Sequence, residues 1–81
     1  MSLKIRLEWY DKVNDLGLGE ELSLIIENDE SVLASLGLFN EYQIFDGGYN
    51  VRPEWISILQ SYFNHRINTA AYDYQIAFRL P

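Results

Sequence analysis

A chain of 81 residues is enough for one domain, here taken as residues 1–81, and at this size folding buries only about 60–65% of the unfolded surface. Two Trp, six Tyr and four Phe within a 48% hydrophobic composition exclude a disordered tail, and the lack of cysteine excludes disulfides and thiolate metal sites. The net charge of −6 disfavours nucleic acid, whose phosphates repel carboxylates, and favours a basic protein as partner.

The chain opens on strict alternation. Leu3, Ile5, Leu7 and Trp9 fall on one face, and Lys4, Arg6, Glu8 and Tyr10 on the other. Period two with one apolar face marks a half-buried antiparallel strand. Asn14 to Gly19, with two glycines, reads as a loop. A second strand then places Leu22, Leu24 and Ile26 toward the core and Glu21, Ser23, Ile25 and Glu27 away from it. A helix is predicted over residues 29–36. Asp29 can cap its first turn, Glu30 suits the positive end of the dipole, and Gly37 can take the left-handed closing conformation. Val32, Leu33 and Leu36 would face inward; two turns are too short to stand alone in water and must dock on the sheet.

Further on, Asp46-Gly47-Gly48 is a turn signal and Tyr49-Asn50-Val51 a short strand. Pro53 suits the start of a helix along which Trp55, Ile58, Leu59 and Tyr62 recur at helical spacing. Phe63 to Ile67 is read as a returning strand, followed by a turn at 68–71. In the last strand Tyr72, Tyr74, Ile76, Phe78 and Leu80 alternate with Asp73, Gln75, Ala77 and Arg79. These elements make a small α+β fold on an antiparallel sheet.

The charges are segregated. No basic residue lies between Lys12 and Arg52, a stretch that carries Asp15, Glu20, Glu21, Glu27, Asp29, Glu30, Glu41 and Asp46. A one-signed field of this extent steers an oppositely charged partner, or serves solubility alone. Catalytic chemistry finds no foothold. His65 is the only histidine, and without a second His or Cys it cannot build a usual zinc site or a base with a recognisable partner acid. The glycine pairs lack a phosphate-cradling fingerprint, and no serine sits in a nucleophile elbow. The chain therefore reads as a binding protein rather than an enzyme, with no cofactor and no metal. Tyr10, Ile25 and Tyr49 fall outside the core pattern with acids around them, as the aromatic and aliphatic anchors of a protein-binding surface do.

Five segments carry a resemblance: Leu3-Lys4-x-x-Leu7-x-Trp9-x-Asp11-Lys12, Gly19-Glu20-Glu21, Ser31-Val32-x-x-Ser35-Leu36-Gly37, Glu54-Trp55-x-x-x-Leu59-Gln60, and Tyr62-Phe63-Asn64-His65-x-Ile67. Through them the chain resembles the cloacin immunity family, inhibitors of colicins and cloacins that cleave ribosomal RNA, almost end to end. The resemblance implies an antiparallel sheet of about four strands with one short helix packed on one face. It implies a partner, the basic C-terminal nuclease domain of a cognate colicin-type toxin, bound beside its active site so that the toxin cannot act on the ribosome. Toxin contacts are then expected at Glu8, Tyr10, Asp15, Glu20, Glu21, Ser23, Ile25, Glu27, Asp73 and Gln75, and discrimination between toxins at Gly48 and Tyr49. Relatives carry aromatic anchors where this chain has Gly17 and Gln75, while Tyr10 keeps one. The implied setting is the cytoplasm, with release as a complex with the toxin, and with neither membrane nor nucleic acid contacted directly. An immunity protein or antitoxin for another secreted or contact-delivered nuclease is the alternative. A DNA-mimic inhibitor is disfavoured, because eight acids in so long a stretch are too sparse to imitate phosphates.

Overall fold

The alternation at the two ends of the chain is realised as two long strands paired along their whole length. A computed structural model describes residues 2–39 and 43–81; Glu41, one of the acids counted above, lies outside the described residues. The elements run β1 (Lys4–Asp11), β2 (Gly17–Leu22), α1 (Asp29–Ser35), β3 (Gly48–Asn50), a single 3₁₀ turn (Pro53–Trp55), α2 (Ile56–Gln60) and β4 (Tyr72–Arg79). The strands form one sheet in the order β2-β1-β4-β3, antiparallel throughout. The fold is therefore α+β, with two short helices near the two places where capping and spacing predict them, where the resemblance implies one.

Register follows the apolar pattern. Ile5 pairs with Phe78, Leu7 with Ile76, and Trp9 with Tyr74, so that β1 and β4 turn one continuous apolar surface to the same side. Ile5, Leu7 and Ile76 are wholly buried there beneath Val32, Leu33 and Leu36 of α1 and Trp55 and Leu59 of the second helical segment. The indole N–H of Trp55 donates to the Leu36 carbonyl at 3.1 Å, satisfying a group that the end of α1 leaves unpaired and tying the two helices together. Asn28, not Asp29, caps α1: its side chain accepts from the Ser31 N–H at 3.3 Å. Asp29 and Glu30 occupy the first turn, where the helix dipole favours negative charge, and Gly37 closes the helix with φ +75°.

The second strand departs from the sequence reading. It begins at Gly17, inside the expected loop, and ends at Leu22. Glu21 pairs with Leu7 and so points toward the helices, while Leu22 pairs with Arg6 and points away. Beyond the strand, Ser23 N–H donates to Ile5 O at 2.8 Å and Ile26 N–H to Leu3 O at 2.8 Å, so three steps of one chain oppose two of the other. That extra residue is a bulge, and it inverts the face of everything before it relative to Ile26. Ser23 and Ile26 both turn inward, while Leu22 (49% exposed) and Leu24 (88%) face solvent. The Ser23 hydroxyl stands in for the disturbed ladder: it accepts from the Ile5 N–H and donates to the Leu24 carbonyl, both at 2.9 Å. Burial of this one polar side chain is thus accounted for by its bonds.

Residues 63–67 form no strand, because side chains rather than a neighbouring strand hold their backbone. The Gln60 amide donates to His65 O at 2.9 Å and accepts from Ile67 N–H at 2.9 Å. The Glu21 carboxylate accepts from the N–H groups of Asn64 and His65, each at 2.8 Å. His65 is thereby laid flat on Trp9, with ring centroids 3.8 Å apart and planes within 9°, and its Nε2 is 2.8 Å from the Tyr74 hydroxyl. Gly19 also lies against the indole, where a Cβ would come within 2.6 Å of it. The Tyr62-to-Ile67 string is therefore a structural clamp on the first strand.

Candidate protein-binding face

Both helices and the clamp lie on one side, so among the described residues the opposite side of the sheet carries no helix and is bare except near Ala77, which is buried, and Phe45 at the margin. Alternation brings Lys4, Arg6, Glu8 and Tyr10 of β1 to it. Register adds Asp73, Gln75, Ala77 and Arg79 from β4, Glu20 and Leu22 from β2, and Gly48 and Asn50 from β3.

The face is graded along β1. At the outer end, Tyr10 pairs with Asp73 on one side and Gly17 on the other. A Cβ at Gly17 would sit 3.8 Å from the tyrosine ring, so glycine leaves that edge of the ring uncovered. Burial pushes the Tyr10 hydroxyl above its ordinary pKa, and the neighbouring Glu8 carboxylate adds to the shift by its charge and by accepting a hydrogen bond. Lys12 Nζ reaches Asp73 Oδ1 at 2.9 Å, an exposed pair that contributes little stability. Tyr10, Lys12, Asp15, Asn50, Asp73 and Gln75 help to line a shallow groove of about 440 Å³. One register step inward, Glu8 lies opposite Glu20. Two carboxylates facing each other across a strand pair repel, and a cation placed between them would relieve that repulsion. Gln75, on the other side of Glu8, donates to Asn50 Oδ1 at 3.2 Å.

Of the expected contact residues, Glu8, Tyr10, Glu20, Asp73, Gln75 and Gly48 share this face, and Asp15 stands at its edge in the β1–β2 turn with φ 59°. Three point to the covered side instead. Glu21 and Ser23 are turned to the covered side by the bulge, as described above. Tyr49 pairs with Ile76 and sets its ring edge-on to Phe78 at 5.9 Å, so it too lies on the covered side. The sequence reading sets it outside the core pattern, and the pairing with Ile76 corrects this, because the register of so short a strand is not visible in the sequence. Ile25 is half-exposed beyond the end of β2, and Glu27 is exposed in the connection to α1. Leu22, read from the sequence as core, lies on the bare face, and so do Lys4, Arg6, Asn50, Ala77 and Arg79, which the expected contact set omits. Leu18 and Phe45, 50% and 41% exposed, add apolar surface at its margins.

Among the described residues no three His, Asp or Glu side chains converge in a way that could hold a metal ion. No helix of the described residues is long and apolar enough to cross a membrane. The arrangement is one of contact: a ring among carboxylates on a flat, strand-built surface. The family model of the cloacin immunity protein matches residues 2–80. The chain belongs to that family, which gives it a role in bacteriocin immunity and a toxin protein as its partner.

Proposed function

We propose that this cloacin immunity protein binds the basic C-terminal ribonuclease domain of a colicin-type toxin beside its active site and blocks action on the ribosome. The observation that carries the reading is the bare sheet face on which Tyr10 is set among Glu8, Glu20 and Asp73. A half-buried ring needs little further ordering on contact, and carboxylates around it draw in a basic partner before contact is made. Glu8, Tyr10, Asp15, Glu20, Asp73 and Gln75 form the contact surface, and Gly48 discriminates between toxins through the space it leaves. Ile25 and Glu27 contribute at the rim. Glu21 and Tyr49 act from beneath, by holding the clamp and the edge strand. The bound inhibitor adds bulk and negative charge beside the nuclease centre, which opposes approach to RNA. The complex forms in the cytoplasm and is released whole, with no membrane contact, no direct contact to nucleic acid and no catalysis by the inhibitor.

The test is a cell-free translation extract given the nuclease domain encoded beside this chain's gene. One equivalent of the immunity protein preserves translation, and the immunity protein alone leaves ribosomal RNA intact. Ribosome inactivation that continues in the presence of excess immunity protein refutes the proposal.

A further inference from the structure

The bare face is acidic only over its outer half. At its inner end the register sets Lys4 directly opposite Arg79, with Arg6 one step along the same face beside Ala77. Three of the six basic residues of the chain thus share one corner of a surface expected to meet a basic protein. Like charges placed opposite each other across a strand pair destabilise the sheet, so this corner has a cost in the free protein. The described part of the molecule neutralises it only in part. Lys4 and Arg79 make no ion pair among the described residues. Arg6 touches Glu8 through one terminal nitrogen at 3.5 Å, while its Nε is shielded from solvent without a hydrogen-bond partner. An unpaired guanidinium N–H in a sheltered position is costly unless an acceptor arrives.

A hollow of about 150 Å³ lies at the same corner, with Arg6, Glu8, Phe45, Gly48, Ala77 and Arg79 in its wall. Glycine at 48 keeps it open: a Cβ there would come within 3.2 Å of Gln75 Oε1. The hollow offers two guanidinium groups, and a planar fork of N–H donors matches the two oxygens of a carboxylate.

We propose that this corner receives an acidic side chain, Asp or Glu, of the toxin nuclease domain, so that the interface is bipolar: carboxylates outward around Tyr10 for a basic patch, and the Lys4–Arg6–Arg79 corner for an acid inside it. The inference rests on the reading of the bare face as the nuclease-binding surface. It makes this corner a determinant of which nuclease is accepted, because a toxin with Lys or Arg at the matching place is repelled by three cations.

The measurement is the affinity of the neighbouring-gene nuclease domain for the parent and for Arg79→Glu and Arg6→Gln, with circular dichroism to establish folding. Net charge alone makes the opposite prediction to ours: both changes render the inhibitor more acidic and should tighten its hold on a basic domain. The proposal requires weakening by roughly tenfold or more, mainly through faster dissociation. It also requires that one Asp or Glu→Lys change in the nuclease restore binding to Arg79→Glu. Arg79 is exposed, so its variant decides the matter should Arg6→Gln fail to fold. Unchanged or tighter binding, or weakening that no nuclease carboxylate reversal restores, overturns the proposal. A parent chain that does not bind the nuclease at all overturns the underlying reading, and this one with it.

Discussion

Gly19→Ala adds one methyl group to a strand, a change that ordinarily stabilises by about 0.4–1 kcal/mol where the backbone can accept it, because the unfolded chain loses freedom. Here the sign should reverse. The new Cβ would lie 2.6, 2.7 and 2.9 Å from Cζ2, Cε2 and Nε1 of Trp9, atoms of a rigid ring rather than the end of a flexible chain. The ring cannot retreat, since His65 is stacked on it at 3.8 Å and is itself fixed by the Glu21 carboxylate and the Tyr74 hydroxyl. Inserting a methyl group into such a packing costs typically 1–3 kcal/mol, so the net loss is about 1–2 kcal/mol. For a domain of this size that corresponds to a fall in Tm of roughly 5–15 °C. Urea or thermal unfolding followed by tryptophan fluorescence measures it. Gly19→Ala in a Trp9→Leu background, where the ring is gone, should recover the ordinary sign. A Gly19→Ala variant as stable as the parent or more so would refute the close packing of Trp9 against Gly19 and His65.

Gln60→Ala should destabilise by about 2–3 kcal/mol in urea unfolding, because it leaves the His65 carbonyl and Ile67 N–H without their partner; Gln60→Glu should fare no better, since it turns a donor into an acceptor facing that carbonyl. Tyr10→Ala should leave the melting curve nearly unchanged yet weaken nuclease binding by about 2 kcal/mol or more, as measured by calorimetry. Replacing Glu8 and Glu20 together with Gln should raise stability slightly by removing a cross-strand repulsion, while slowing association and flattening its dependence on salt in stopped-flow binding. Gly48→Trp fills the hollow beside Arg6 and Arg79 and should abolish protection from the cognate toxin in a survival assay, whereas Gly47→Ala, which has open space around it, should not.

The sheet was legible wherever one face is apolar over many residues. Leu3 to Trp9 and Tyr72 to Phe78 carry such runs, and their pairing follows with every inward residue in place. The helix over Val32, Leu33 and Leu36 was legible from caps and spacing, although Asn28 rather than its neighbour holds the first turn. The second strand misled because period two survives a bulge: one inserted residue leaves the alternation of Leu22, Leu24 and Ile26 looking unbroken while reversing which of them is inside. The strand foreseen at Phe63 to Ile67 failed for a different cause. Its backbone is bonded by Gln60 and Glu21, and the sequence separation of 43 to 44 residues between Glu21 and its two partners gives no local signal. Those same bonds account for the Gln60 and Asn64-His65 motifs as architecture. The candidate site was legible as the polar side of β1 and β4, but the segregation of cations at one corner depends on Lys4 meeting Arg79, which only the register reveals.

The central claim is that the bare sheet face, and not the helical side, meets the nuclease. It is tested most directly by titrating the unlabelled nuclease domain into ¹⁵N-labelled immunity protein and following each backbone N–H. The predicted result is that Arg6, Glu8, Tyr10, Gly48, Asp73 and Gln75 shift or broaden at one equivalent while Val32 to Leu36 of the α1 region stay in place. Changes concentrated on α1 and α2, with β1 and β4 undisturbed, would contradict it.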